Sequence, residues 1–462
     1  MIEPNPTRRS ALRLVPAVAL AARLRAQAKV FNVSDYGAKG DGATLDTAAI
    51  QRAIDEAAQA GNGARVLVPG GKKYVIGTLE LKSNIDFHLA DDAELLATTD
   101  PSQYRGAAVL AAHGAQGLRI TGTGNLNGRA RDFMASYDQP NEWWLPKQFR
   151  PKMFVLTACR DLEIHDISFS EAPEWGLHMV GCEQVLVDRL KIRNLLDVPN
   201  CDGIDPDHCR DVEIRNCDIV CGDDAIVVKS TRQPQDYGAT SRIRVHDCVI
   251  ETQDCGVKIG TETTGEIHDV VFERCQIRSS SRGIGIQLRD EGNVYDIEFR
   301  DIKLVSRYHS DPWWGRGEAI SLTAIPRNPQ TRIGTLHDIR IRNVTARSEN
   351  SVRVCGTAGS PVHKVTLENI ALTMGRWTRY KGGLWDNRPT TVETDIETHD
   401  NPAYSIRHAG QVTLTKCGIS WEANPPDYFT HALEAENAAG LDLTGFSGTA
   451  AHPGRDSDLA IR

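Results

Sequence analysis

Aromatic side chains are scarce in this chain, at 6% of 462 residues. No apolar run comes near the roughly 18–20 residues that a membrane helix requires, which excludes a helical membrane-spanning protein. Charge of one sign is missing as well. With 53 basic and 61 acidic residues the net charge is only -8, which argues against nucleic acid or an anionic membrane as partner. No CxxC pair and no His-x-x-His spacing occurs, so nothing reads as a zinc site.

What is present begins with a leader. Thr7-Arg8-Arg9-Ser10-Ala11-Leu12 reads as a twin-arginine motif, Leu14 to Ala22 as a short apolar core, and Ala26-Gln27-Ala28 as a small-x-small cleavage site. Residues 1–28 are expected to direct export, leaving a periplasmic or secreted protein. Asp46 is expected to cap a helix from Thr47 to Gln59 whose Ala49-Ile50-Ala53-Ile54-Ala57 face is apolar.

The body of the chain is a repeat. Asp161-Leu162-Glu163-Ile164-His165-Asp166-Ile167 returns as Asp211-Val212-Glu213-Ile214-Arg215-Asn216-Cys217, and again from Asp269, Asp296 and Asp338. Apolar anchors fall at Leu162, Val185, Val212, Ile243, Val270, Ile297, Ile339 and Val365. Alternation of period two inside each unit makes strands, and Asp, Asn and Gly between them make turns. The Leu-x-x-Leu-x-Leu skeleton of leucine-rich repeats is absent. The expected fold is all-β, a single right-handed parallel β-helix, with the helix as the cap its open N-terminal end needs. Residues 29–462 then form one β-helix domain. Its cap and first turns occupy 29–110, the main coil 111–415, and the last turns 416–462, with a loose tail from Ala450.

Eleven cysteines follow the same repeat. Cys217, Cys248 and Cys275 stand where other turns place Ile167, Leu190, Ile302, Val344 and Ile370, while Cys159, Cys182 and Cys209 share a second position. Thiols that exchange with aliphatic residues are core residues, so stacked free thiols are expected, with room for one or two disulfides. Three interruptions carry aromatics: Trp143 and Trp144; Trp313 and Trp314; Trp377, Tyr380 and Trp385. These suit stacking on sugar rings, or stapling the loops to the coil.

Two acidic clusters lie one repeat apart, Asn200-Cys201-Asp202-Gly203-Ile204-Asp205 and Cys221-Gly222-Asp223-Asp224. Stacked turns put Asp202 over Asp224, with Asp223 beside them, and the register continues the column through Cys255 to Arg282. Carboxylates gathered this closely raise one another's pKa, which suits general acid/base work or cation binding. With the opening Tyr36-Gly37-Ala38-Lys39-Gly40-Asp41-Gly42, Trp175-Gly176-Leu177-His178 and Lys229-Ser230, the sequence resembles glycoside hydrolase family 28, the polygalacturonase-like enzymes, over nearly the whole mature chain. The resemblance implies Asp223 as general acid, Asp202 and Asp224 as the pair that activates water, inversion at the anomeric carbon, a pectic substrate, a monomer, and neither cofactor nor metal.

The chain departs from the family at two places. Asp254-Cys255-Gly256 replaces Gly-His-Gly, and Gly285-Ile286-Gln287 replaces the Arg-Ile-Lys that would hold a galacturonate carboxylate. Substrate contacts are expected from Asn200, His178, Lys258, Arg282, Gln287 and Arg289, with His208 as a further source of positive charge. A mixed pectic backbone such as rhamnogalacturonan, or a short oligosaccharide, is expected in place of homogalacturonan. A calcium-using polysaccharide lyase and a non-catalytic carbohydrate-binding coil are the alternatives.

Overall fold

The protein is described by a computed structural model covering residues 28–462; the leader, all but its last residue, lies outside these. Two recurring corners wind the chain. The residue ahead of the anchor takes a left-handed conformation in each repeat: Asp161, Asp211, Asp269, Asp296 and Asp338 have φ between 53° and 57°. So does the residue that closes the same short strand, at Asp166, Asn216, Asp301 and Asn343. Asp and Asn tolerate this region because their short side chains hydrogen-bond locally, and that is why the repeat spells Asp at one end and Asp or Asn at the other.

Between the corners the anchors stack. Leu162 pairs with Val185, Val185 with Val212, Val212 with Ile243, and so on through Val270, Ile297 and Ile339 to Val365. Every anchor read from the sequence is therefore a register partner of the next. The pairing joins 35 strands into one sheet, which coils as a right-handed β-helix. Its interior is a set of like-on-like columns, for example Phe272 stacked on Phe299 with ring centroids 5.0 Å apart.

The helix Thr47–Ala60 covers the N-terminal end and buries Ala49, Ile50, Ala53, Ile54 and Ala57. Asp46 precedes it but does not cap it with its side chain. Its carboxylate instead accepts from the backbone N–H groups of Lys39 and Gly40, at 2.7 and 3.0 Å. The C-terminal tail also differs from expectation. Leu459–Ile461 adds a strand to Leu433–Ala435, so the coil runs almost to the end. Edge pairing needs only backbone, so a weak side-chain pattern hides it.

All eleven cysteines are buried and free, and the room left for one or two disulfides is not used. Native protein is expected to give no reaction with a thiol reagent and denatured protein to give all eleven, with or without prior reduction. A lower count before reduction would show disulfides.

Candidate active site

Four successive strands build one patch of the coil surface: Ile204–Asp207, Ile226–Ser230, Cys255–Thr263 and Arg282–Leu288. Ile204, Ile226, Val257 and Ile284 pair in turn. Two residues before each of them, Asp202, Asp224, Cys255 and Arg282 form the column expected from the sequence, with rungs about 4.8 Å apart. Gly203 allows this close stacking, since a Cβ there would lie 2.3 Å from the Ala225 carbonyl oxygen. Cys255 belongs to the outer face, because a Cβ on Gly285 would meet its Sγ at 2.9 Å and the Arg282 Cδ at 3.2 Å. Arg282 thus lies across Gly285 and fills the space where a side chain at 285 would stand.

One oxygen from each of Asp202, Asp223 and Asp224 lies within 4.8 Å of the others. Asp202 and Asp224 are only 2% exposed, whereas Asp223 is partly open to the groove. Asp223 is held by two backbone donors, the N–H of Asn200 at 3.0 Å and that of Asp224 at 2.9 Å. Asn200 therefore positions the acid through its backbone, in a left-handed conformation of φ 59°.

Two buried lysines supply the counter-charge. Lys258 Nζ donates to Asp224 Oδ2 at 2.7 Å. Lys229 Nζ stands 3.6 Å from Asp202, 3.8 Å from Asp205 and 3.3 Å from Glu262, and 4.5 Å from the centre of the Trp175 ring. With Asp254 included, six carboxyl groups share these two lysines, so protons must stay on some of them. Burial, then the neighbouring Asp205 and Asp223, pushes Asp202 well above the carboxylate range. Burial raises Asp205 to about 7 against the pull of Lys229. Burial and Asp224 raise Asp223; burial and Asp224 raise Asp254 well above its ordinary value. Glu262 goes the other way, to about 2: burial raises it, but the charges of Lys229 and Lys258 together with hydrogen bonds from Thr261 and Lys229 lower it further. Asp202, Asp205, Asp223 and Asp254 thus each hold a proton more tightly than an exposed carboxyl does.

Buried carboxylates locked by lysines, with one partly open acid above them, can hold and pass protons. The model of glycosyl hydrolases family 28 matches residues 59–382. The chain belongs to this family. It is a glycosidase of polygalacturonase-like type that hydrolyses O-glycosyl bonds. A probable polygalacturonase of Vitis vinifera is 28% identical over 424 residues, 85% of this chain and 84% of its own. An exopolygalacturonase of Thermotoga maritima shares the fold with a TM-score of 0.65 at 20% identity, covering 86% of this chain and 92% of its own. A family 28 exopolygalacturonase of Yersinia enterocolitica gives 0.64 at 17%, covering 91% and 79%.

On this family 28 scaffold the other expected contacts separate into two groups. Lys258 is paired with Asp224, and Arg282 is fully buried with Glu318 at 3.4 Å. His178 has both ring nitrogens engaged, 3.1 Å from Asp207 Oδ2 and 3.5 Å from Lys152 Nζ. His208 is likewise tied to the carbonyls of Gly238 and Thr231, each at 2.8 Å. Neither is free for a sugar. Gln287 Nε2 donates to the Arg388 carbonyl at 2.9 Å, and Arg289 Nη2 to that of Asn387 at 3.1 Å. These two therefore anchor a loop.

That loop is part of a wall formed by the three interruptions. Ser310 Oγ donates to the Asn141 carbonyl at 2.5 Å, Tyr380 OH donates to Glu142 Oε2 at 2.5 Å, and Arg379 pairs with Glu142. The Gly315 N–H donates to Asp386 Oδ2 at 2.9 Å. Trp313 and Trp385 are 2% and 1% exposed, so they staple loops and do not meet sugar. Trp314 is the exception. Its ring lies 5.7 Å from Lys258 Nζ and 5.6 Å from the Arg388 guanidinium, on the groove side. Lys229 and Asp205 fall inside the sequence motifs, but their spacing assigns no role to either. Arg388, about a hundred residues beyond the site, offers no local signal.

Proposed function

We propose that this enzyme hydrolyses a pectic chain at an acidic sugar by direct displacement, with inversion. Asp223 protonates the glycosidic oxygen, and Asp202 with Asp224 holds the attacking water. The observation that carries this reading is the division of the three acids: the open one can reach a leaving group, while the two buried ones lie one rung apart and are paired to lysines. Oxygens within 4.8 Å can share one water, since each hydrogen bond to it spans about 2.8 Å. Enzymes that invert usually separate their carboxyl groups by roughly 6.5–9.5 Å and those that retain by about 5–5.5 Å, so stereochemistry is a sharp test here.

Arg282 lying over Gly285 supports an acidic sugar, because it brings a guanidinium where the chain has no side chain of its own. The altered Gly285 and Gln287 favour a mixed backbone such as rhamnogalacturonan, or a short oligosaccharide, over homogalacturonan. The loop wall favours attack from a chain end. Export through residues 1–28 would bring the enzyme to such polymers, acting as a monomer.

The test is reducing-end release from polygalacturonate, rhamnogalacturonan and short oligogalacturonides, with proton NMR of the first-formed anomer. One substrate should yield short end products of inverted configuration. Retention would sink the displacement mechanism, and an unsaturated, ultraviolet-absorbing product would make the protein a lyase.

A further inference from the structure

The column that carries the acids does not begin with them. Phe154, Leu177, Ile204 and Ile226 pair in turn, and two residues before each stand Lys152, Trp175, Asp202 and Asp224. One turn ahead of the acids the column therefore presents an indole, and two turns ahead a lysine. Arg282, at the other end, is fully buried, whereas Lys152 and Trp175 are both partly exposed.

Lys152 is held in place without being neutralised. Its Nζ lies 3.8 Å from the centre of the Trp175 ring and 3.5 Å from His178 Nδ1. The other ring nitrogen of His178 stands 3.1 Å from Asp207 Oδ2, which takes its hydrogen and leaves Nδ1 to accept from the lysine. Burial holds this histidine below its ordinary pKa against the pull of Asp207, in keeping with a neutral ring. An ammonium has three N–H donors. His178 accepts one, and the face of the indole attracts the charge. Among the described residues those two rings are its partners, and no carboxylate is. Asp205 feels the charge of Lys152, but the cation that stands against it is Lys229, at 3.8 Å.

The chain beside Lys152 is tied to the open acid. Arg150 donates to the carbonyls of Pro173 and Pro199 and to Asn200 Oδ1, each at 3.0 Å. Asn200 in turn holds Asp223 through its backbone N–H at 3.0 Å. Register and these contacts together fix how far Lys152 stands from the point of cleavage.

We infer that Lys152, laid on Trp175, receives the carboxylate of the sugar lying one to two turns ahead of the cleavage acids, and so selects a free uronate at that position of the chain. The assignment rests on the hydrolase reading for its substrate class. A carboxylate accepts charge-assisted hydrogen bonds from an ammonium. A lysine already held over an aromatic face loses little further freedom on binding. A methyl ester carries no charge, so this residue separates a free uronate from an esterified one.

Binding of trigalacturonate and of its fully methyl-esterified form, measured by calorimetry on the full chain, tests this in Asp223→Asn, where turnover does not interfere. The free acid should bind more tightly than the ester. Lys152→Met, added to that background, should cut the preference by about tenfold, through the loss of a hydrogen bond to a charged group. Lys152→Arg should keep most of it. Both variants should melt close to their parent, because the side chain at 152 is partly exposed and in no ion pair. Equal binding of acid and ester by the parent, no binding of either, a preference that survives Lys152→Met, or an equal loss in Lys152→Arg would each overturn the inference. Reducing-end release by the wild type is scored separately. Binding that follows Lys152 without any release would sustain the carboxylate site and sink the hydrolase reading alone.

Discussion

Asp223→Asn is expected to lower kcat by about 10²–10⁴-fold, the usual contribution of a positioned general acid, with little change in KM. The amide keeps one acceptor oxygen where the carboxylate offers Oδ2 to the Asn200 N–H and Oδ1 to the Asp224 N–H, so one of the two bonds is lost, and it has no acidic proton to give. Stability should change in its pH dependence. Asp223 has a raised pKa in the folded protein, through burial and the charge of Asp224. The folded state therefore holds its proton more tightly than the unfolded chain does, and stability falls as pH rises from the ordinary carboxylate range through the raised value. Asparagine escapes that loss. Relative to the wild type, the variant should gain melting temperature between pH 3 and neutral pH. Activity within tenfold of wild type would remove Asp223 from the acid role, and Asp202 or Asp254, both pushed well above the usual range, would be tested next.

Lys258→Met is expected to damage folding and catalysis together. Lys258 and Asp224 form an ion pair at 2.7 Å, with each side chain 3% exposed. Removing one partner of a buried pair costs about 3–5 kcal/mol, because the remaining charge loses its counter-ion where little water can replace it. Asp224 also loses the contact that holds it in place. The variant should therefore melt below the wild type and lose activity. The double variant Lys258→Met/Asp224→Asn should regain stability and remain inactive. If Lys258→Met melts like the wild type at pH 7, water must reach Asp224 freely, and the description of a buried charge pair is wrong.

Much of this molecule is legible in its amino-acid sequence. The Asp at one corner and Asp or Asn at the other announce where the chain bends. The aliphatic residues between them announce the strands, and one step of register sets all the others, since each turn lies on the last. That is why spacing alone stacks Asp202, Asp224, Cys255 and Arg282, and why the apolar face of the end-capping helix is plain from its period. The signal is weaker where backbone alone makes the contact, as in the strand Leu459–Ile461, and where a side chain serves the turn before it, as Asp46 does.

The loops belong to tertiary structure. Glu142 meets Arg379 across 237 residues of sequence, and no period links them. Nothing local distinguishes Trp313 and Trp385, buried as staples, from Trp314 beside the groove, or His178 and His208, which are tied up, from Lys258, which faces the acids. The coil, its register and the column of Asp202, Asp224, Cys255 and Arg282 are written in the chain itself, because they depend on short segments repeated at a fixed spacing. Three-dimensional packing settles how the three excursions meet and which lysine serves which carboxylate. Those features arise where excursions from different turns meet, and their geometry depends on contacts that no single repeat encodes.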